Sequence, residues 1–341
     1  MMSGAGKVPT TYEEFFKSNP DIRIIIFAGK GGLGKTTFSA ATAYHAAKQG
    51  KRVLCFSTDP QASLSDIFER DLFGKGETEI LPNLFVCEID ADRRIAAYQQ
   101  EIRQKILDMY GLSEIPKDID EYIKAVSAEP AMHESATYDA MTEMVARGDY
   151  DLYIFDMPPF GHGVRIVGMA ELLDAWIDKI TEAREKAREY DEVVATLRGT
   201  TEAESEDTIL GELWDIRRKL DFFSDMLKDK RRTGFFMVLI PEKMAILDTR
   251  RALKMFEEYG IALSGIIVNM VYPVELLARK ELGSYLGNRI KMQQKYMKQI
   301  RKEFGEYLRS VIPMFDREPK GLKMIGKVAE ALFGWKELGG S

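Results

Sequence analysis

Along the chain, short runs of nearly unbroken apolar residues alternate with longer stretches of helical periodicity. RIIIFA (23–28), RVLCFS (52–57), LFVCEI (84–89), DLYIFD (151–156), FFMVLI (235–240) and SGIIVN (264–269) are predicted strands. A strand with one wet face alternates apolar and polar residues, whereas a strand covered by helices on both faces is apolar throughout. Strands of this kind separated by helices predict an α/β fold built on a doubly wound, mostly parallel sheet. Two stretches break the rhythm. Residues 90–147 read as helices, with Ile95, Tyr98, Ile102, Ile106 and Met109 at helical spacing. Residues 167–230 are helical and highly charged, and carry the stripe Ile209, Leu213, Ile216, Leu220, Phe223 and Leu227. That stripe has two readings: the core face of a packed helix, or a groove for a hydrophobic client formed by Leu213, Ile216, Leu220, Phe223 and Leu227. The predicted organisation is a polar N-terminal extension (1–20), a nucleotide domain (21–89, 148–166 and 231–335) and a helical subdomain assembled from two insertions (90–147 and 167–230).

Composition narrows the function classes. The chain has 341 residues, 45% hydrophobic and 30% charged, with a formal net charge of −6. An acidic balance argues against broad nucleic-acid binding, which needs a basic face. The two cysteines, Cys55 and Cys87, sit in apolar runs and no CxxC occurs, so no zinc site is expected. The longest apolar runs, such as FFMVLI, fall far short of the ~20 residues that span a bilayer as a helix. The expectation is a cytoplasmic protein whose dealings with membranes pass through a partner.

The chemistry concentrates in AGKGGLGKTT (28–37). Gly29, Gly34, Lys35 and Thr36 match the phosphate loop G-x-x-x-x-G-K-[ST], after a predicted strand and before a predicted helix. Backbone N–H groups of Gly29 to Thr37, including those of Gly31, Gly32 and Leu33, would cradle phosphates at a helix N-terminus. Lys35 would reach the β- and γ-phosphates, and Thr36 would offer its hydroxyl to Mg²⁺. Lys30 comes too early in the loop to do the same. It is either a solvated loop lysine or a cation lent across a two-fold interface to a second subunit's nucleotide. Asp59, in Ser57-Thr58-Asp59-Pro60, is a turn residue or the group that polarises the attacking water. Asp156 closes an apolar strand, where a P-loop enzyme holds Mg²⁺. The following MPPFGHGVR reads as a switch, with Gly161, His162 and Arg165 in it. Asn269 ends another strand and would either cap a turn or read adenine.

Taken together, GKGGLGKTT, STDPQASLSDIF, FDMPPFGHGVR and IIVNMVYP resemble the phosphate loop, first switch, second switch and purine-binding strand of the ArsA-type anion-transporting ATPase family. The G-K-G-G-x-G-K-T form is the deviant Walker A motif of ParA/MinD-like P-loop NTPases. The family embraces arsenical pump-driving ATPases and the ATPases that target tail-anchored membrane proteins. The resemblance implies ATP hydrolysis with Mg²⁺ by a homodimer that closes around nucleotide. It makes Lys30 a trans-acting catalytic lysine and Asp59 the water-activating residue, with Lys35 beside them. Thr36, Asp59 and Asp156 would lie at Mg²⁺, and Asn269 and Pro313 at the base. Ser57 and Pro60 join Gly161, His162 and Arg165 as switch residues. The partner implied is a hydrophobic membrane-protein client, or alternatively an anion efflux pump. The zinc-binding CxxC of the targeting members falls near Gly283 and Leu286, which cannot bind metal, and the thiols that bind arsenite in pump members have no counterparts.

Overall fold

In the computed structural model the chain is described over residues 11–58, 61–110, 113–127, 130–157, 224–279 and 283–336, with short pieces between 178 and 222. Its sheet comprises β1 (Ile24–Ala28), β2 (Val53–Ser57), β3 (Thr78–Leu81), β4 (Leu84–Glu88), β5 (Leu152–Asp156), β6 (Thr233–Leu239), β7 (Leu263–Val271) and β8 (Leu308–Pro313). The order across the sheet is β3-β4-β2-β5-β1-β6-β7-β8. Every neighbouring pair is parallel except β3 with β4. All residues of β1, β2, β5 and β6 are buried, which is why their sequences are apolar without alternation.

Alternate residues of each strand feed two cores. On one face, Ile25, Phe27, Cys55 and Phe236 pack with α1 (Tyr12–Ser18), α2 (Lys35–Lys48) and α3 (Ser63–Phe68), together with a C-terminal helix, Gly321–Gly334. On the other, Ile26, Phe56, Phe155 and Met237 pack with residues of the helices Pro130–Arg147, Lys243–Glu258 and Ser284–Phe304. In chain order α4 is Ala91–Tyr110, α5 Lys117–Ser127, α6 Pro130–Arg147, α7 Lys243–Glu258, α8 Ser284–Phe304 and α9 Gly321–Gly334. The helices predicted within 90–147 are therefore α4, α5 and α6. Arg103 of α4 is ion-paired to Asp120 of α5 at 2.7 Å, and Arg94 of α4 to Glu143 of α6. No helix among the described residues is long and apolar enough to cross a membrane.

Three features correct the sequence reading. Residues 1–20 are not wholly a polar extension: α1 begins at Tyr12, which is fully buried and in edge contact with Phe236 and Phe333. Its polar appearance comes from the exposed faces of a short helix whose Tyr12 and Phe15 are buried, with Phe16 partly buried against the same core. β3 and β8 are additional strands at the two edges of the sheet. Edge strands need less apolar surface, and TEIL and LRSVIP lack the continuous runs that mark the centre. Finally, Leu227, offered as a client contact, is only 4% exposed and belongs to the core beneath β6, packed there with Met226. Leu213, Ile216, Leu220 and Phe223 lie outside the described residues.

Candidate functional site

β1 lies at the point where the chain reverses its direction of travel across the sheet: β2 goes to one side, and β6 follows β5 on the other. In open α/β sheets, ligands bind beyond the carboxyl ends of the strands at such a reversal. The loop 29–34 leaves β1 there and enters α2 at Lys35. Its shape depends on glycine. Gly29, Gly32 and Gly34 have φ of 151°, 76° and 99°, which side chains resist. A Cβ on Gly29 would stand 2.6 Å from the Val238 carbonyl oxygen, and one on Gly34 2.5 Å from Nδ2 of Asn269.

Lys35 is buried at the start of α2, and its ammonium donates to the Lys30 carbonyl at 3.3 Å. Its own chain's loop thus holds the second lysine by its backbone, while the Lys30 residue stays exposed at the mouth. Gly31 and Gly32 are also exposed, and Leu33 is buried in the core beneath. Thr36 donates its hydroxyl to Oδ2 of Asp156 at 2.7 Å. Asp156 is 2% exposed at the end of β5, next to Ser57 at the end of β2, whose hydroxyl reaches the Asp156 carbonyl at 3.5 Å. Ser63 of α3 reaches Oδ2 of Asp156 at 3.5 Å. One residue past β2, the Thr58 hydroxyl is buried with no partner among the described residues. A hydroxyl, a buried carboxylate and an unsatisfied hydroxyl gathered beside a phosphate loop suit Mg²⁺, a hard cation that takes oxygen ligands and keeps several waters.

Asn269, 7% exposed near the end of β7, donates Nδ2 to the Leu33 carbonyl at 2.9 Å. The amide thereby braces the phosphate loop from the far side of β1. The next residue, Met270, has φ of 56°. Gln293 of α8 straddles this irregular turn: its amide donates to the Met270 carbonyl and its oxygen accepts from Tyr272 N–H, each at 2.9 Å. Pro313 lies exposed at the end of β8, where Met314 N–H continues the pairing to Val271. The structure thus brings Gly29 to Thr37, Ser57 and Asp156 to one sheet edge, with Asn269 and Pro313 on the same edge further along. Asp59, Pro60, Gly161, His162 and Arg165 lie outside the described residues.

The sequence reading missed Glu88. This carboxylate, 1% exposed at the end of β4, accepts from the N–H groups of Leu64 and Ser65 and from the Ser65 hydroxyl. The signal was present in LFVCEI: an acid closing an apolar strand, as in the DLYIFD that flagged Asp156. Cys55 and Cys87 are both buried, and lie on opposite faces of the sheet, one in each core. Burial, then the charges of Asp156 and Glu88, hold the Cys55 thiol well above its usual pKa; burial, then Glu77 and Glu88, push Cys87 up to about 11.

The sequence profile of the anion-transporting ATPases matches residues 22–334, the span of this sheet and of α2 to α9. The chain belongs to that family. Among its relatives are two arsenical pump-driving ATPases of Aquifex aeolicus, numbered 1 and 2 by name. The first is 30% identical over 92% of this chain and 79% of its own. The second is 28% identical over 91% and 99%. The ATPase get3 of Pyrenophora tritici-repentis is 27% identical over 91% of each chain. Membership of the anion-transporting ATPases makes this chain an ATPase, and the family's nucleotide with Mg²⁺ suits the loop, Thr36 and Asp156.

Proposed function

We propose that this chain is a homodimeric ATP-hydrolysing switch in which each protomer lends Lys30 to its partner's nucleotide, and in which closure prepares the helical insertions to hold a hydrophobic segment of a membrane protein. The observation that carries the first half is the split between the two loop lysines: Lys35 is buried and turned back onto the loop, Lys30 exposed at its mouth. A phosphate needs one cradle lysine from its own chain. An exposed cation at the rim of the site is positioned to complete another copy's site on contact. Gly29 to Thr37 would bind the phosphates, with Thr36, Asp59 and Asp156 around the magnesium ion. Held by these residues, that ion would supply positive charge to offset the negative charge that develops during phosphoryl transfer. Asp59 would orient and deprotonate the attacking water, and Asn269 and Pro313 would border the base.

The client half rests on the apolar stripe from Leu213 to Phe223 and on the name of the get3 relative. Energising a metalloid pump through thiol capture is disfavoured. The two cysteines face opposite sides of a sheet, so they cannot share one ligand, and both thiols stay protonated near neutral pH.

The test is capture of a radiolabelled tail-anchored segment by the full chain with ATP, beside Leu220→Asp/Phe223→Asp. The double variant should keep wild-type ATP turnover and lose capture. Unfolding of that variant would make the stripe core, and undiminished capture would remove the groove from it.

A further inference from the structure

We propose that Glu88 is a positioning residue that ties the first-switch helix α3 to the base of the first helical insertion, so that a nucleotide-driven shift of α3 reaches α4. The inference rests on reading residues 57–62 as nucleotide-sensing.

α3 cannot hold its own start. Its N-cap position is Ala62, in left-handed backbone with φ of 51°, and no side chain of its own caps it. The first amides of a helix need acceptors, and buried ones need them most. Glu88 supplies them from a different strand: Oε1 takes Leu64 N–H at 2.7 Å and Ser65 N–H at 3.0 Å, and Oε2 takes the Ser65 hydroxyl at 2.6 Å. Its described partners are amides and a hydroxyl rather than a cation, so the carboxylate is committed to this helix end. Bonds to an ionised acceptor are about twice as strong as neutral ones. The Ser65 oxygen in turn accepts Leu72 N–H at 3.0 Å, drawing in the chain beyond α3.

On its other side the same turn touches the nucleotide machinery. Ser63 reaches Asp156, the acceptor for Thr36. α3 therefore begins between two buried carboxylates, one at the phosphate loop and one at the end of β4. Two residues beyond Glu88, Asp90 caps α4: its carboxylate accepts Arg93 N–H at 3.0 Å. Arg93 also donates to the Gly74 carbonyl at 3.1 Å, and Phe73 pairs with Glu88 through the backbone. The start of α3, residues 72–74 and residues 88–93 thus form one hydrogen-bonded unit. Among the described residues, the Glu88 carboxylate, met by the Ser65 hydroxyl, joins α3 to the strand leading into α4. If a γ-phosphate pulls 57–63 toward Asp156, that unit must follow or its bonds must break. A rigid element with two positions is what coupling between separated sites requires.

The experiment is hydrogen–deuterium exchange on the full chain, with ADP and with a non-hydrolysable ATP analogue, alongside steady-state turnover. Wild type should show analogue-dependent changes in peptides covering 29–37, 63–68 and 91–110. In Glu88→Gln, which keeps the shape and an acceptor for the amides but cannot accept from both Ser65 groups as a carboxylate does, the change at 29–37 should persist and that at 91–110 should vanish. KM for ATP should stay within about two-fold while kcat falls roughly 10-fold, the size expected when a group supporting the reacting ones is lost. Ser65→Ala, which removes the hydroxyl bridge and leaves the charge, should reproduce the loss at 91–110 and decides the matter if Glu88→Gln does not fold. A full wild-type difference at 91–110 in either folded variant overturns the proposal, as does loss of the response at 29–37 together with raised exchange throughout α3 in every state, the signature of a purely structural carboxylate. Absence of any response at 29–37 in wild type would strike the nucleotide-switch reading itself and take this inference with it.

Discussion

Gly34 shows how little room the loop leaves. It combines φ of 99° with an Asn269 amide 2.5 Å from where a methyl would sit. Gly34→Ala must therefore both strain the backbone and push away the side chain that braces Leu33. Strain of this kind costs ~1–3 kcal/mol. ATP affinity, read by titration calorimetry, should fall by about 5- to 150-fold if that strain is felt in the nucleotide-bound loop, since 1.4 kcal/mol is a factor of ten. Unchanged affinity would mean that the loop reshapes freely. The cysteines give a second test at this scale. With Cys87 held at about 11, its thiol is protonated at pH 8, so iodoacetamide should label native protein hardly at all and unfolded protein at both cysteines. The sign for stability follows from the raised value. The unfolded thiol loses its proton near its ordinary 9.0 while the folded one keeps it, so the unfolded state binds fewer protons and stability falls as pH rises from about 9 to about 11. Over that window Cys87 alone should remove about 2–3 kcal/mol, and Cys87→Ala should flatten part of the slope in urea titrations at pH 8, 9.5 and 11. Residues of this kind were unevenly legible. Lys35 and Thr36 stand in a spacing that phosphate chemistry dictates, and Asp156 is an acid closing an apolar strand. Glu88 lies far in sequence from the amides it serves, and only the pairing of β2 with β4 brings them together.

Elements were legible where the physics is one-sided. A strand buried on both faces must be apolar throughout, and the six central strands announced themselves in that way. α1 did not, because a seven-residue helix shows too few turns to display a period, and its two buried aromatics look like isolated residues in a polar leader. Yet it closes one core. Tyr12 meets Phe16, Phe236 and Phe333 edge-on, and its hydroxyl lies 3.0 Å from that of Thr42 on α2. Tyr12→Ala should destabilise the protein by ~3–5 kcal/mol, the range for emptying a buried aromatic site. Tyr12→Phe keeps the ring and strands the Thr42 hydroxyl, so about 1–3 kcal/mol is expected. Chemical denaturation of both variants separates packing from hydrogen bonding. A Tyr12→Ala loss below that of Tyr12→Phe would show that α1 is an ornament on the sheet. β8 was hidden for another reason. Arg309 and Ser310 interrupt its apolar run, yet both are buried, Arg309 by donating to the Glu306 and Leu308 carbonyls and Ser310 to that of Leu332. Polar residues whose side chains bond to nearby backbone carbonyls pass for loop in a sequence.

At the scale of the whole molecule the question is whether one copy suffices. The sequence could raise it through the second lysine of the loop, but a single chain carries no record of its partner. The exposed Lys30 makes the answer measurable by mixing. Lys30→Ala should bind ATP about as wild type does and turn it over far more slowly; Asp59→Asn should bind ATP and be nearly inert. If the lysine acts within its own chain, every site in a mixture of the two lacks one essential group and no activity returns. If it acts across a two-fold axis, half of the dimers in an equal, freely exchanging mixture are mixed. In each of these, the Lys30→Ala subunit has its own Asp59 and receives Lys30 from its neighbour, whereas the other site has neither. Roughly one quarter of all sites are then complete, so the mixture should recover up to about 25% of wild-type turnover from two nearly silent parents. The recovery should grow with total protein concentration as dimers form, and it should vanish when both variants also carry Lys35→Ala. A mixture as silent as its components, under conditions where light scattering shows mixed dimers, would return Lys30 to the solvent.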